Sequence, residues 1–286
     1  MLTRPEMSPV ALDHSPTHDG RLRKVLPAAA ASWLAVAVAG QWAFAYYLIA
    51  FYGSSTLAGR YQLWTSNTLL RMSYVRGDTL GNVAFASHAL LAAVIAFGGA
   101  LQLVPQIRKR AIAVHRWTGR VFFVTALGLS ASGLYMEWIR GDREDLISGV
   151  AISINAVLII LFCLLAWRAA LRRELQLHRR WALRAYLVAN AQWFTRVGFL
   201  AWMVLSRLAP HGAAERFDDA FAAFWMFGCY SLPLAVLELY LRARQGRSLQ
   251  NQLAVAGAIF ALTLIMAVGI LGASAFLWWP LVHAKA

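Results

Sequence analysis

Apolar runs of about 20 residues or more recur along nearly the whole chain, separated by short polar or basic connections. A helix of about 20 residues is long enough to cross the hydrocarbon core of a bilayer. The pattern therefore predicts an all-α, polytopic membrane bundle of about seven transmembrane helices. We expect these helices at roughly residues 28–51, 81–105, 117–139, 146–169, 181–206, 219–242 and 252–279.

The sequence between and around these runs suggests how the rest of the chain is organised. Residues 1–27 contain prolines and lack apolar periodicity, so we expect a flexible cytoplasmic tail. Residues 28–280 are predicted to form a single transmembrane domain with its core at 80–205. Residues 52–80 mix aromatic and basic side chains, which is typical of a loop or short helix lying in the membrane interface.

Composition and charge agree with a membrane protein. Hydrophobic residues make up 60% of the chain and charged residues 14%, which leaves no room for a separate soluble domain. The net charge of +14 lies in the connections, so we assign it to membrane topology and to anionic lipid headgroups rather than to nucleic acid. Cys163 and Cys229 both fall inside apolar runs and are expected to be buried thiols.

The distribution of basic residues predicts the orientation of the bundle. Connections 106–116, 170–180 and 242–251 hold most of the arginines and lysines, together with the N-terminal tail. Connections 140–145 and 207–218 are acidic or mixed. With seven helices, the two sets fall on opposite sides of the membrane. By the positive-inside rule, the N-terminus is predicted to be cytoplasmic and the C-terminus external.

A loose repeat at two helix starts forms the first candidate site. Each copy has a histidine, an arginine, a tryptophan and then an arginine three residues later. Two imidazoles at one depth suit axial ligation of a haem iron, with arginines holding the propionates. An ordinary interfacial anchor remains the alternative, because arginine and tryptophan are common at membrane surfaces. The candidate residues for haem b binding are His115, His178, Arg116, Arg120, Arg179 and Arg184.

A second candidate site lies within the predicted helices. Arg196 at membrane depth costs about 2.5–3.5 kcal/mol on insertion scales, so it should face the bundle interior and find partners. His88 and Asn155 are predicted at a similar depth, and the candidate partners of Arg196 are these two residues together with Gln192 and Glu137. The cluster is either a polar core that fixes helix packing or a site for an anionic or quinone-like small molecule.

The motifs in residues 80–205 carry a resemblance. An intramembrane His88, the Gly98-Gly99 pair, Gln102 and Pro105 precede the motif HRWTGR, and LHRRWALRAY follows later. This order resembles a family of bacterial predicted membrane proteins known only as a domain of unknown function. The resemblance implies a multi-pass protein of the bacterial inner membrane, and it brings no catalytic residues with it.

A more distant resemblance is to cytochrome b561-type bundles, in which histidines on four consecutive helices bind two haems. His88, His115 and His178 match three such positions, but the predicted fourth helix offers Asn155 and no histidine. The two-haem pattern is therefore broken, and only the pair His115 and His178 remains.

Three functions follow from these candidates. The chain is a b-type haem redox protein, a binding or transport protein for an anionic or quinone-like molecule, or an accessory membrane protein without chemistry of its own. The sequence assigns no catalytic residue and no metal site beyond the possible haem iron, and it leaves open whether the protein is an enzyme. It contains no phosphate-cradling glycine loop and no metalloprotease helix motif.

Overall fold

The computed structural model describes residues 22, 24–68, 70, 72–141, 145–207 and 218–283. Most of the predicted tail 1–27 and most of the predicted connection 207–218 lie outside these residues. The described part of the chain is all-helical, which confirms the predicted fold class. Its main helices are α1 (Val25–Leu57), α2 (Thr79–Leu103), α3 (Ile112–Arg140), α4 (Leu146–Leu171), α5 (Leu175–Ala189), α6 (Ala191–Ser206), α7 (Asp218–Gln245) and α8 (Leu249–His283).

Six of these helices, all except α5 and α6, are long and apolar enough to cross a membrane. The consecutive helices α5 and α6 are interrupted at Asn190, and together they have the length of a further crossing. The protein is thus a multi-pass membrane protein in contact with the lipid bilayer. Apolar side chains such as Val157 and Leu164 on α4 are exposed, as expected for a helix that faces lipid.

The helices pack in a ring with one helix at its side. Helix α1 contacts α2 and α8. Helix α2 in turn contacts α3, α3 contacts α4, and α4 contacts α5. Helix α6 packs mainly on α8, which closes the ring, while α7 lies against α4, α5, α6 and α8. The end of the bundle that contains Arg108, Arg179 and Arg244 is called the basic face below. The other end, which contains Asp78 and Arg140, is called the opposite face.

Glycines allow the closest contact in this ring. A Cβ atom added at Gly269 of α8 would overlap the carbonyl oxygen of Val197 on α6 and lie 2.8 Å from its Cγ1 atom. At Gly40 of α1, a Cβ atom would lie 2.5 Å from Ile270 and 2.8 Å from Trp193. Small residues at these positions let α1, α6 and α8 approach one another, as is common between membrane helices.

The segment 52–80 contains a short helix and packs against the bundle. Helix α1 continues to Leu57 through a π-helical turn at Leu48–Gly53, and a 3-10 helix follows at Tyr61–Ser66. Trp64 is only 1% exposed, and its Nε1 atom donates a hydrogen bond to Ser55 Oγ at 2.9 Å. Because the ring nitrogen finds a buried acceptor, the tryptophan anchors this segment to the bundle. Its position in the membrane interface stays a prediction.

The helix predicted at 181–206 differs from the observed structure in two ways: the observed helix begins earlier, and it is interrupted. The chain becomes helical at Leu175, and the helix breaks at Asn190, which has φ −98° and ψ 10°. The Asn190 side chain donates to the Tyr186 carbonyl at 2.8 Å. An asparagine that bonds its own backbone competes with the helical hydrogen-bond pattern. His178, Arg179 and Arg180, predicted to lie in a connection, therefore belong to the first turns of α5, while Arg172 and Arg173 remain in the connection.

A buried ion pair holds the opposite face together. The Arg140 side chain is only 2% exposed, and its Nε atom donates to Asp78 Oδ2 at 2.9 Å. Its Nη2 atom donates to Asn82 Oδ1 at 2.8 Å. Asp78 also caps α2 by accepting from the Gly81 backbone N–H at 2.8 Å. One carboxylate therefore fixes the start of α2 and the end of α3.

This pair predicts a pH dependence of stability. The Gly81 N–H and then Arg140 hold the pKa of the Asp78 carboxyl below its ordinary value of about 4. The pair therefore stabilises the fold above about pH 4, and this contribution is lost as the pH falls through the lowered pKa. We expect Asp78→Asn to lower the melting temperature in detergent at pH 7. The difference from the wild type should shrink below about pH 4, whereas a constant difference would contradict this role.

Candidate ligand-binding sites

His178 and His115 lie at the basic face, where α5 and α3 begin. His178 Nδ1 hydrogen-bonds to the Ala166 backbone carbonyl at 2.9 Å. Since a carbonyl oxygen only accepts, the proton of neutral His178 is on Nδ1 and its Nε2 atom carries a free lone pair. His178 is therefore in the tautomer that an iron ligand requires. The two imidazoles lie within electrostatic range of each other.

His115 has the opposite arrangement. With the Gln102 carboxamide oriented to accept from the Gly119 N–H at 3.1 Å and from the Thr118 hydroxyl, its nitrogen donates to His115 Nδ1 at 3.0 Å. A neutral His115 that accepts at Nδ1 carries its proton on Nε2, and that atom then has no lone pair for iron. The hydrogen bonds thus prepare one of the two histidines for ligation but not the other.

The four arginines of this candidate site do not converge on one point. Arg184 Nε donates to Glu238 Oε1 on α7 at 2.9 Å, and the guanidinium stacks on Trp181 at 4.7 Å. Its charge is therefore already neutralised. Arg120 lies over the Trp117 ring at 5.6 Å, while Arg116 and Arg179 are exposed. Arginines stacked on tryptophans at a helix start are typical of an interfacial anchor.

Arg196 lies inside the bundle, where α6 faces α1. Its Nη1 atom donates to the Gln192 carbonyl on the same helix at 2.7 Å, and its guanidinium lies 5.7 Å from the Phe44 ring centre. Tyr47 and Tyr52 are within electrostatic range of the guanidinium. Among the described residues, no carboxylate forms an ion pair with Arg196.

The other predicted members of this cluster differ in their contacts with Arg196. His88 is within its electrostatic range, and His88 Nδ1 hydrogen-bonds to Ser132 Oγ on α3 at 2.9 Å. Gln192 contributes its backbone carbonyl to Arg196. Asn155 is buried on α4 without a partner for its Oδ1 atom, and no hydrogen bond within the described residues joins it to Arg196. The structure thus brings Arg196 near His88 and leaves Asn155 apart.

Two tyrosines near Arg196 were not predicted as site residues. The Tyr47 and Tyr52 hydroxyls lie 3.3 Å apart, and Asn67 Nδ2 contacts them at 3.1 and 2.9 Å. The π-helical turn Leu48–Gly53 brings these side chains, five positions apart, to one face. The aromatic content of residues 41–52 was the only signal in the sequence, and it does not distinguish a site from a lipid-facing surface.

Comparison with known proteins finds a family model that matches part of the chain. Residues 85–217 match the family model described as "Predicted membrane protein (DUF2306)". This match confirms the resemblance to a membrane protein family of unknown function, and it includes both repeats of the basic motif and Arg196. No curated protein and no solved structure matches the chain. The similarity to cytochrome b561 therefore receives no support.

Proposed function

With residues 85–217 matched to DUF2306 in a multi-pass membrane protein, we propose that the chain binds an anionic or quinone-like small molecule at Arg196. Such a binding step serves a transport or carrier role and requires no bond to be broken. The ligand presents a carboxylate or quinone oxygen to the guanidinium. Its apolar part lies among the aromatic side chains of α1, and the molecule enters from the membrane.

One observation carries this proposal: Arg196 lies in the interior of the bundle and has no ion-pair partner among the described residues. A guanidinium has five N–H donors, and within the described part of the chain Arg196 makes one hydrogen bond, to a backbone carbonyl of its own helix. A charge within the bilayer is costly unless it is paired, and such residues mark ligand or ion pathways by default. An oxygen ligand would provide the missing acceptor.

The neighbours of Arg196 support the choice of ligand class. Phe44 provides a ring at 5.7 Å, and Tyr47 and Tyr52 provide hydroxyl groups beside it. Aromatic rings pack well against the face of a quinone, and a phenol or an imidazole such as His88 can hydrogen-bond its second oxygen. The haem alternative has weaker support, because only His178 has the tautomer of an iron ligand.

The location is part of the same proposal. We assign the basic face to the cytoplasmic side of a bacterial inner membrane, with the N-terminus cytoplasmic and the C-terminus external. The support is the accumulation of arginines at the ends of α2, α4 and α7, which follows the positive-inside rule.

Removing Arg196 is expected to abolish ligand binding without unfolding the protein. We expect decylubiquinone or decanoate to bind the purified wild type in detergent, as measured by quenching of tryptophan fluorescence. Arg196→Leu should weaken this binding by about tenfold or more, because a charge-assisted hydrogen bond contributes about 1.5–3 kcal/mol. Its melting temperature should be unchanged or higher, since the substitution removes a buried charge and strands no side-chain partner.

Arg207→Leu is the matched control for this experiment. Arg207 lies at the end of the same helix and also faces an aromatic ring, at 5.9 Å from Phe276. We expect this variant to bind both probes as the wild type does. The proposal is wrong if neither probe binds the wild type, or if Arg196→Leu and Arg207→Leu bind with equal affinity. A large loss of stability in Arg196→Leu would instead assign the residue to the polar core.

A further inference from the structure

The basic face also carries a concave site, which Arg196 does not line. A cavity of about 260 Å³ opens between the start of α5 and the end of α7. A second cavity of about 210 Å³ adjoins it, because Arg180, Leu241 and Gln245 line both. The first cavity is called the first lobe and the second cavity the second lobe. The two lobes together form a groove on the basic face.

Among the described residues, three arginines and no acidic residue line the first lobe. Arg179 and Arg180 come from the first turns of α5, and Arg244 comes from the last turn of α7. Arg108, in the short helix between α2 and α3, is also within electrostatic range of Arg179. Cations from three separate parts of the chain therefore lie together and repel one another.

The second lobe differs from the first in charge. Glu238 lines it and forms an ion pair with Arg184 at 2.5 Å. One of its arginines is therefore neutralised within the protein, whereas no carboxylate lines the first lobe. The first lobe is the part of the groove that lacks an anion.

We propose that the first lobe binds a phosphate group. A phosphate has several acceptor oxygens, and planar guanidinium groups pair with them through two parallel hydrogen bonds. The amide of Gln245 adds a neutral donor, while Leu183 and Leu241 give the same cavity an apolar wall. A charged group beside an apolar wall matches the headgroup and first methylenes of an anionic lipid. The same phosphate chemistry is present in soluble phosphates.

The test compares two double variants with the same loss of charge. Arg179→Gln/Arg244→Gln removes two arginines of the first lobe. Arg242→Gln/Arg247→Gln removes two arginines at and just beyond the end of α7; Arg242 lines the second lobe, and neither arginine lines the first lobe. Both pairs are exposed, so both variants should remain folded, as their melting temperatures will report. Native mass spectrometry of protein released from nanodiscs measures retained phosphatidylglycerol against phosphatidylcholine.

We expect the wild type to retain phosphatidylglycerol in preference to phosphatidylcholine. The first-lobe variant should lose this preference by about tenfold or more, since a charge-assisted hydrogen bond from an arginine to a phosphate contributes about tenfold or more in affinity. The control variant should change it by less than about threefold. Equal losses in both variants would show diffuse attraction of anionic lipid and overturn the site.

A second arm separates the two sources of phosphate. Inorganic phosphate and pyrophosphate are titrated into the detergent-solubilised protein by calorimetry, with the same two variants. Binding of these ions that depends on Arg179 and Arg244, without preferential lipid retention, assigns the site to a soluble phosphate. Lipid retention without ion binding assigns it to a headgroup. If the wild type neither prefers phosphatidylglycerol nor binds either ion, the proposal is wrong.

Discussion

Gly269→Ala is expected to destabilise the protein by about 3 kcal/mol, the upper end of the usual cost of overpacking a core. The new Cβ atom would overlap the Val197 carbonyl oxygen and approach the Val197 Cγ1 atom to 2.8 Å. A backbone carbonyl cannot rotate away as a side chain can, so α6 and α8 must separate. The melting temperature in detergent, followed by circular dichroism, should fall by about 5–10 °C.

Gly257→Ala on the same helix is the matched control. A Cβ atom added at Gly257 meets nothing within 4 Å. Alanine stabilises a helix by about 1 kcal/mol relative to glycine, so this variant should be as stable as the wild type or slightly more stable. If both variants melt at the wild-type temperature, the close contact between α6 and α8 is absent in the membrane protein.

Gly81→Ala is the second substitution with a large expected effect. The added Cβ atom would overlap both Asp78 Oδ2 and Arg140 Nε, the two atoms of the buried ion pair. These side chains can move only by giving up their contact, which leaves the buried Arg140 guanidinium without its carboxylate. We expect a clear fall in the melting temperature, because the Arg140 side chain is only 2% exposed and loses its carboxylate partner.

Gly98→Ala provides the comparison on the same helix, because a Cβ atom at Gly98 also meets nothing within 4 Å. Thermal unfolding of both variants at pH 7 should show a clear loss for Gly81→Ala only. The Gly81→Ala defect should also shrink below about pH 4, because the ion pair that the overlap disrupts no longer contributes once the Asp78 carboxyl is protonated. Similar melting temperatures for the two variants would mean that Asp78 and Arg140 do not meet at Gly81.

Most of the fold was predictable, because an apolar run of sufficient length leaves a chain few alternatives in a membrane. The exceptions are places where one polar side chain decides the local structure. Asn190 breaks the helix predicted at 181–206, although an isolated asparagine in an apolar run does not by itself indicate a break. Trp64 is buried because Ser55 accepts its N–H, a contact that the interfacial composition of residues 52–80 does not reveal.

The candidate sites were less predictable than the helices. The cost of a charge in lipid indicates that Arg196 needs an interior position, but it does not identify which rings surround the guanidinium. Phe44 lies 152 positions away in the chain and meets Arg196 only because α1 and α6 both pack on α8. Tyr47 and Tyr52 share a face only in a π-helical turn, whereas the usual helical period separates them. Arg184 meets Glu238 because α5 packs on α7. The sequence alone therefore could not show that the charge of Arg184 is neutralised.

The break at Asn190 has a consequence for how the chain enters the membrane during synthesis. Helix α5 has 15 residues and α6 has 16, so each extends only about 22–24 Å, less than the hydrocarbon thickness of about 30 Å. Neither half is long enough to be recognised alone by the insertion machinery. Helix α6 also packs mainly on α8, the last helix to be translated. This crossing is therefore expected to reach its final position only after the C-terminal helix has left the ribosome.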